Sequence, residues 1–437
     1  MSLKNCSPSI IPSLNTVNQS SRNNDTPLTP IDDSVLSPII LNTIGTEDPF
    51  TSTCRCEYYS NRNLLSKVRT LPRDAFSVYH TNIRSIQKNF DIFAHSLDEL
   101  NYSFDVIGLT ETWLRDEPDS LLTIPNYNIE YKNRHKTGGG VMLYIKSSFS
   151  YKLRPDIFQF SDFFEAIFIE IENQLGKNII LGLIYRPPGL NVSLFAEALD
   201  PILDRITREN KHCYLLGDFN INLLNHESHN PTNEFLNMIY SHAFRPTIDK
   251  PTRVTYNTAT LIDNIFTNNL DFHTTGIMTT GISDHCPIVL FGPPLVKSNH
   301  SNAWQWKRNL TNTNVLALKH ELERIDWDTI ICGNDVQEDY SQFINKLKTV
   351  YENYVPYKRM KPSHRGPRNP WITPGLQKSI RTKDKLYKRY LKNPCKNNKL
   401  SYDNYRNKLT SLIRLAKSNH YTSLLDAEKS NRAICGK

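Results

Sequence analysis

The sequence predicts an α/β fold in which two sheets pack together and are flanked by helices, over about residues 73 to 293. Two observations predict it. Apolar runs of strand length alternate with segments whose apolar residues recur at helical spacing. Polar residues fall repeatedly at or near the ends of the apolar runs. Many strands with helices between them bury their apolar faces by stacking in layers.

The predicted elements begin at residue 76. A strand at 76–79 leads into a helix whose apolar face runs from Ile86 to Leu100. Helices are also predicted at 194–206, where Pro201 disturbs the pattern, and at 234–243. The remaining predicted strands are 104–109, 141–145, 166–171, 179–184, 214–216, 261–266 and 287–291.

Three consecutive glycines, Gly138 to Gly140, precede the predicted strand at 141–145. No Gly-Lys-Ser/Thr follows them, so the run is not a Walker phosphate loop. We expect these glycines to form a loop that lies close to another backbone segment.

Two further regions flank this domain. Residues 1–72 are rich in Ser, Asn and Pro and are predicted to be mostly disordered, with a patch at 54–59 that is expected to dock on the domain. Residues 294–437 are predicted to be a mostly helical, basic, linker-like region. Its predicted helices are 315–325, 340–351, 376–390 and 400–425.

Positive charge is concentrated in the last region. Residues 357–420 contain 18 Lys and Arg against Asp384 and Asp403, a net +16, whereas the whole chain carries +8. Such a block indicates a polyanionic partner, and a solvated helix face is the alternative interpretation. Tyrosines interleave with the basic residues, which suits phosphate contact and base stacking.

Several protein classes are excluded by composition. The 8 cysteines are scattered, and Cys54 and Cys56, the one close pair, lack the second Cys/His pair of a zinc site. The first 50 residues contain no apolar core of a signal peptide, and no apolar stretch is long enough to span a membrane. The sequence therefore predicts a nuclear or cytoplasmic protein that is neither secreted nor membrane-bound.

The stretch Gly217-Asp218-Phe219-Asn220 follows an apolar strand. Residues two apart on extended backbone face the same way, so Asp218 and Asn220 are expected to project together. A carboxylate and an amide so placed can hold or deprotonate a water, although a simple turn is the alternative. Other polar residues at or near strand ends, which can converge on one pocket, are Asn82, Glu111, Tyr185, Asp263, Asp284 and His285.

These residues and their surrounding motifs resemble the endonuclease/exonuclease/phosphatase superfamily, which includes the apurinic/apyrimidinic endonucleases and the DNase I-like nucleases. The resemblance is greatest to the endonuclease domain of LINE-type, non-LTR retrotransposons of the Jockey kind, and it extends over about residues 76 to 291. The motifs that carry it are Asn-Ile-Arg-Ser at 82–85, Thr-Glu-Thr-Trp-Leu at 110–114, Tyr-Arg-Pro-Pro at 185–188, Ile-Asp-Asn-Ile-Phe at 262–266 and Ser-Asp-His-Cys-Pro at 283–287, together with the Gly-Asp-Phe-Asn stretch.

The resemblance implies a DNase I-like, four-layered α/β sandwich with two mixed sheets, and phosphodiester hydrolysis with a divalent metal. Mg²⁺ is the implied ion and Mn²⁺ the alternative. Glu111 matches the metal-binding glutamate, Asn82 the asparagine that orients the metal site, and Asp284 a second acid near the metal or the leaving group. The implied catalytic residues are Asp218 for the water, Asn220, Tyr185 and His285 for the phosphate, and Asp263 for orienting the histidine.

The resemblance also implies the function, which is to nick target DNA and leave a 3′-hydroxyl that primes reverse transcription. Arg84 stands where some repair-type relatives carry an acid, which argues against abasic-site repair. No Tyr/Phe-x-Asp-Asp polymerase motif occurs, so the chain is expected to be a fragment or a truncated copy of a longer polyprotein, without its reverse transcriptase. Another phosphoesterase of the superfamily and an inactive nucleic-acid-binding relic are the alternatives. Target DNA and element RNA are the expected partners, and the expected contacts are Arg186, Arg381, Lys385, Lys388 and Arg389.

Overall fold

The computed structural model describes residues 54–115, 117–118, 122–134, 138–174, 176–295, 305–330, 335–360 and 369–435. The expected disorder of residues 1–53 lies outside the described residues. Strands β1 to β8 are Cys54–Tyr59, Ala75–Asn82, Val106–Thr110, Tyr127–Lys132, Val141–Lys146, Tyr151–Leu153, Glu165–Ile171 and Ile179–Tyr185. Strands β9 to β17 are His212–Asp218, Arg245–Pro246, Arg253–Val254, Ala259–Thr260, Asp263–Thr267, His273–Met278, Ile288–Pro294, Gln305–Arg308 and Tyr357–Met360.

Two mixed sheets form the centre of the described structure. The first has the strand order β1-β14-β15-β2-β3-β5-β4, and the second has the order β10-β13-β9-β8-β7-β6. The pairs β1–β14, β2–β3 and β8–β9 are parallel, and the other pairs in these two sheets are antiparallel. Mixed pairing follows from the chain, because helical crossovers join the parallel pairs β2–β3 and β8–β9.

The two sheets pack face to face. Phe76 of β2 and Tyr214 of β9 approach with ring centroids 5.5 Å apart. A Cβ atom on Gly108 of β3 would lie 2.8 Å from the Leu216 side chain, so the sheets can approach this closely because β3 has a glycine at this position. Along β2 successive side chains alternate, so that Phe76 joins the core between the sheets and Tyr79 joins the core beneath a helix.

Helices cover the outer faces of both sheets. Helix α2 (Ile86–Leu100) packs its apolar face on the first sheet. Helices α3 (Val192–Arg208) and α4 (Asn230–Ser241) pack on the second through Phe195 and Phe235. Helix α3 runs unbroken through Pro201, which had been expected to disturb it. The two sheets and the two helical layers confirm the predicted four-layered α/β sandwich. Helices α1 to α4 are Asn61–Val68, Ile86–Leu100, Val192–Arg208 and Asn230–Ser241.

The N-terminal boundary of the domain differs from the prediction. The patch at 54–59 is strand β1, which pairs in parallel with β14 at the edge of the first sheet, and α1 follows it. Tyr58 also donates a hydrogen bond to the carbonyl of Pro251 at 2.8 Å. Residues 54–72 are therefore part of the folded domain instead of the disordered segment to which they were assigned.

The C-terminal region is mostly helical, as predicted, but its last part is not a separate linker. Trp371 and Ile372 join the core around α2, while Tyr387 and Tyr402 join the core between the sheets. The two long helices α7 and α8 thus form a hairpin that packs on the sandwich. None of the helices in the described part of the chain is long and apolar enough to cross a membrane. Helices α5 to α8 are Asn312–Arg324, Val336–Tyr354, Pro374–Lys392 and Lys396–Cys435.

Candidate active site

Five of the predicted site residues lie together where strands of the two sheets end. Asp218 ends β9, and in the second sheet it stands directly between Tyr185 of β8 and Asp263 of β13. Asn82 ends β2 in the first sheet, and Glu111 follows the last residue of the neighbouring β3. The face-to-face packing of the sheets brings these strand ends to one edge, as the sequence predicted.

Asn82 joins two of the carboxylates. Its Nδ2 donates hydrogen bonds to Glu111 Oε1 at 2.9 Å and to Asp218 Oδ2 at 2.8 Å. Its Oδ1 accepts a hydrogen bond from the Arg84 backbone N–H at 3.2 Å. This orientation satisfies all three contacts, because an amide nitrogen only donates and a carboxylate oxygen only accepts. Asn82 therefore fixes Glu111 and Asp218 relative to each other.

Glu111 receives two further hydrogen bonds. The Tyr185 hydroxyl donates to Oε1 at 3.3 Å, and the Trp113 indole Nε1 donates to Oε2 at 3.2 Å. Burial and the neighbouring Glu111 carboxylate raise the pKa of Tyr185, so this phenol stays a donor at neutral pH. The Glu111 carboxylate is half-buried, so water can reach it.

Left-handed backbone is concentrated around these residues. Glu111 has φ +53°, Trp113 +57° and Asn220 +49°, values that cost free energy for residues with a side chain. The glycines at 138–140 support the first two, since Thr112 N–H and Trp113 N–H donate to the carbonyls of residues 140 and 139 at 3.2 and 2.9 Å. This confirms the prediction of a glycine loop that approaches another backbone segment.

His285 and Asp263 form a buried pair beside Asp218. His285 Nδ1 lies 2.9 Å from Asp263 Oδ2, which also accepts a hydrogen bond from Thr252 Oγ1 at 2.7 Å. The nearest Asp218 oxygen is 4.0 Å from the same Nδ1. The Asp263 contact orients the imidazole and leaves Nε2 for another partner, as in a catalytic dyad.

Burial and charge together set the ionisation of this group. Burial, with the charge of Asp263, raises the pKa of Asp218 to about 7, and His285 and Asn82 oppose the rise. Burial alone would lower the pKa of His285, but the carboxylates of Asp263 and Asp218 outweigh it and raise that pKa to about 9. At neutral pH the imidazole is therefore a cation, and Asp218 is poised to exchange a proton.

Comparison with known proteins gives one family. Residues 78–285 match the model of the endonuclease/exonuclease/phosphatase family. This stretch, a little under half of the chain, is similar to that family. No curated protein matches the chain.

Solved structures with similar chains include a catalytic domain of APE2, an AP endonuclease and the endonuclease domain of a retrotransposon. The catalytic domain of APE2 from Xenopus laevis is 20% identical over 51% of this chain and 94% of that chain, with a TM-score of 0.41. The AP endonuclease LMAP from Leishmania major is 13% identical over 59% and 98%, with a TM-score of 0.44. The endonuclease domain of TRAS1, a telomere-specific non-LTR retrotransposon, is 13% identical over 50% and 98%, with a TM-score of 0.39.

Enzymes of the endonuclease/exonuclease/phosphatase family are typically dependent on a divalent metal, and two groups of donors here could hold one. Ligand atoms of Asp218, Asp263 and His285 lie within 4.8 Å of one another. All three are almost fully buried, whereas Mg²⁺ keeps several water ligands. The half-buried oxygens of Glu111 suit a hard, hydrated cation better. Asn82 donates one N–H to Glu111 and one to Asp218, so it orients both carboxylates, and its own oxygen accepts from the Arg84 N–H.

Asp284 lies in an ion-pair network. Its carboxylate contacts Arg84 Nη1 at 2.9 Å and Arg253 Nε at 3.0 Å. Burial raises the pKa of Asp284, but His285, Arg253 and Arg84 outweigh it and lower that pKa to about 2. The acid stays ionised, and Arg84, which departs from the repair-type pattern, has a partner. The metal or leaving-group role of Asp284 stays a prediction.

The predicted DNA contact at Arg186 needs correction. Arg186 is 2% exposed, and its guanidinium donates to the carbonyls of Phe219, Asn220 and Leu190. The Asn220 amide in turn donates to the Arg186 carbonyl at 2.8 Å. A guanidinium turned inward in this way cannot reach a phosphate, so Arg186 braces the loop that carries Asn220.

Several residues of the site were not assigned a role from the sequence. Trp113 orients Glu111, Thr252 supports Asp263, and Arg253 holds Asp284. Ser283 donates from Oγ to the Asn82 carbonyl at 2.6 Å and ties the His285 loop to β2. Trp113 and Ser283 lie inside the motifs and could have been found there. Thr252 and Arg253 follow a loop proline and carry no strand-end signal.

Proposed function

We propose that this domain is a metal-dependent endonuclease that nicks DNA and leaves a 3′-hydroxyl, as in target-primed reverse transcription. The observation that carries the proposal is the chain of contacts from Glu111 through Asn82 to Asp218, next to the His285–Asp263 pair. It supplies, at one edge of the fold, a proton acceptor, an oriented cation and a carboxylate for a metal.

The residues divide the reaction between them. Asp218 accepts the proton of the attacking water, and the water oxygen forms its bond to phosphorus as the bond to the 3′-oxygen breaks. The His285 imidazolium donates from Nε2 to a non-bridging phosphate oxygen, while Asp263 holds Nδ1. The Tyr185 hydroxyl and Asn220 flank the phosphate. A divalent ion held at Glu111 would neutralise phosphate charge, and the released 3′-oxygen takes a proton from solvent.

A basic surface on α7 supports DNA as the substrate. Among its predicted contacts, Lys385 and Arg389 are exposed, whereas Arg381 pairs with Glu99 at 2.6 Å and Lys388 is partly buried. Four exposed basic residues follow one face of α7 at helical spacing and form no ion pair with another described residue. We call them the α7 stripe, and they are Lys378, Lys385, Arg389 and Lys392.

The retrotransposon origin belongs to the same proposal and rests on the motif resemblance. A nicking enzyme of that kind would act in the nucleus, where target DNA lies, and would bring element RNA to the nick. The rival activities are hydrolysis of lipid or nucleotide phosphoesters at the same residues, and nucleic-acid binding without hydrolysis.

The experiment that tests the proposal is nicking of supercoiled plasmid by the full chain. We expect relaxation with Mg²⁺ or Mn²⁺, none with EDTA, and none with Glu111→Gln. Glu197→Gln, an exposed glutamate on α3, is the matched control and should cut like wild type. A DNA polymerase should extend the nick without phosphatase treatment if the product is a 3′-hydroxyl.

The other outcomes separate the rivals. A folded chain that leaves plasmid intact but hydrolyses phosphoinositides or nucleotides would be another phosphoesterase. A chain that retains DNA on a filter, with no hydrolysis of any phosphoester, would be the binding relic. Either result would overturn the nuclease assignment.

A further inference from the structure

The helical hairpin of α7 and α8 contacts the backbone of the loop that carries His285. We call residues 279–287, between β14 and β15, the catalytic loop, because Asp284 and His285 lie on it. Both polar backbone groups of Gly281 in this loop meet side chains of the hairpin. Its N–H donates to Asp384 Oδ1 at 3.2 Å, and its carbonyl accepts from Lys383 Nζ at 2.8 Å and Tyr402 OH at 3.4 Å.

A second set of contacts follows His285 in the chain. The Tyr387 hydroxyl lies 3.4 Å from the sulfur of Cys286, and both side chains are buried. Tyr390 donates to the carbonyl of Val254 at 3.4 Å, next to the arginine that holds Asp284. The hairpin therefore contacts the catalytic loop at Gly281 and at Cys286, on either side of Asp284 and His285.

Burial and shape show that these contacts are specific. Lys383 is 1% exposed, and its ammonium is 2.9 Å from Asp384 as well as bonded to the loop. A buried ammonium is retained only where partners compensate for its lost hydration. A Cβ atom at Gly281 would lie 2.7 Å from the Tyr402 hydroxyl and 3.2 Å from the Tyr387 ring, so the hairpin fits the loop only over a glycine.

We propose that the α7–α8 hairpin positions His285 for the reaction, with Lys383 and Tyr387 as positioning residues that never touch the substrate. This inference rests on the proposed function for the site itself. Within the domain the loop is tied down by Ser283 to Asn82 and by the Cys286 N–H to the Thr252 carbonyl. The N–H and the hydroxyl of Thr279 also donate to the Tyr59 carbonyl of β1, at 2.9 and 3.1 Å. Gly281, between these ties, has both of its polar backbone groups bonded to the hairpin, so loosening the hairpin should let His285 drift from the phosphate.

The activity test compares two lysines of the same hairpin that both contact the sandwich. Lys383→Met removes the bond to Gly281, whereas Lys417→Met removes an ion pair of 3.4 Å with Asp91 on α2, away from the loop. We expect Lys383→Met to lower kcat about tenfold or more, since small displacements of reacting groups cost that much, with KM for DNA nearly unchanged. Lys417→Met should keep the wild-type kcat.

Tyr387→Phe is a milder test in case Lys383→Met fails to fold, because it removes one hydroxyl and keeps the buried ring. We expect a smaller fall in kcat in the same direction, with an unchanged circular dichroism spectrum. Wild-type kcat in both folded variants would overturn the proposal. So would a loss confined to KM, because that pattern would mean that the hairpin only binds DNA.

A second readout separates this inference from the proposed function. In full chain with ¹³C-labelled histidine rings, the His285 signals, assigned by their loss in His285→Gln, should shift or broaden in Lys383→Met and stay in place in Lys417→Met. If the wild-type chain cuts no DNA, the nuclease proposal fails while this comparison still decides whether the hairpin holds the loop. Unmoved His285 signals in Lys383→Met would reject the positioning role.

Discussion

Asn82 is an amide for an electrostatic reason. It lies between Glu111 and Asp218 and gives one N–H to each. A carboxylate at this position would put three acids side by side and raise their pKa values, since like charges disfavour ionisation. The amide instead holds Asp218 and Glu111 each in a fixed orientation, which the proposed roles of base and metal ligand require.

Asp218→Asn should abolish cutting and leave DNA affinity intact. The variant keeps the size of the side chain and loses the proton acceptor, so we expect kcat to fall by roughly 10²- to 10⁴-fold. Plasmid nicking and filter binding measure the two properties. Asp204→Asn, a partly exposed acid on α3 that pairs with Arg208, should change neither, and an active Asp218→Asn enzyme would remove Asp218 from the mechanism.

At the residue scale, the sequence could predict the site residues that lie at the ends of strands and few others. Asp218, Glu111 and Asn82 were predictable because each follows an apolar run inside a motif. Arg186 has the same kind of context, yet its direction depends on loop carbonyls that no local pattern shows. Thr252 contacts Asp263 only through the tertiary fold, and so its role could not be predicted.

At the element scale, strand β9 shows how tightly the site is built. Gly217 precedes Asp218 and lies opposite Ile184 of β8 in a parallel pair. A Cβ atom at Gly217 would lie 1.8 Å from the Ile184 carbonyl oxygen, which is a backbone atom and cannot turn away. The close approach of the two strands, which aligns Tyr185 with Asp218, thus requires glycine.

Gly217→Ala should therefore destabilise the domain and displace Asp218. Strand separation to relieve the overlap breaks ladder hydrogen bonds, and we expect a loss of roughly 2 to 4 kcal/mol in the free energy of unfolding. Urea denaturation measures it. Gly375→Ala is the matched control, since its nearest neighbour would be 3.8 Å away at the start of α7, and it should be neutral or slightly stabilising.

Strands that the sequence did not predict have weak apolar patterns. Strand β14, His-Thr-Thr-Gly-Ile-Met, has a glycine because a Cβ atom there would lie 2.4 Å from the Tyr59 ring. Strand β4 is an edge strand with no fully buried residue. The inner strands β5 and β8 carry no charged residue apart from Lys146 at the end of β5, and both were predicted closely. A strand that is buried on both faces has a continuous apolar sequence, which is easy to recognise, whereas an edge strand lacks this pattern.

A charged cluster between β6, β7 and the end of α3 stabilises the second sheet. Glu170 is 2% exposed and accepts hydrogen bonds from Arg154 at 2.7 Å, and from Asn178 and Lys211 at 2.8 Å. Burial raises the pKa of Glu170, but the hydrogen bonds from Asn178 and Lys211 and the charges of Lys211 and Lys152 outweigh it and lower that pKa to about 2. Folding therefore favours the ionised form of Glu170.

This cluster should stabilise the protein at neutral pH and fail in acid. Because the folded pKa is depressed, its contribution is complete above the ordinary pKa of glutamate and is lost as pH falls toward 2. Glu170→Gln should cost up to about 3 kcal/mol at pH 7, and the difference from wild type should shrink below about pH 4. Urea midpoints across this pH range measure it, and a constant difference would contradict the assignment.

At the scale of the whole molecule, the candidate site residues and most of the positive charge lie in different parts of the chain. Residues 357–420 carry a net +16, and the remainder is net negative. The sequence predicted this block as a linker-like region, because helical periodicity shows one apolar face and cannot show what covers it. In the structure that face lies on the sandwich through Tyr387 and Tyr402, and α7 contacts the catalytic loop, while the opposite basic face is exposed.

The α7 stripe should therefore supply affinity without supplying chemistry. Changing its four basic residues to Gln should weaken DNA binding and reduce the slope of log K against log salt by up to about 3 to 4. The slope falls because fewer phosphates are neutralised and fewer counterions are released on binding. Saturating DNA should restore the wild-type kcat, since the stripe does not touch the catalytic loop. The matched control changes four exposed basic residues on other parts of the chain, Arg69, Arg73, Lys346 and Lys348, and should leave the slope unchanged. Equal losses in both variants would mean that net charge alone, and not this face of α7, binds the DNA.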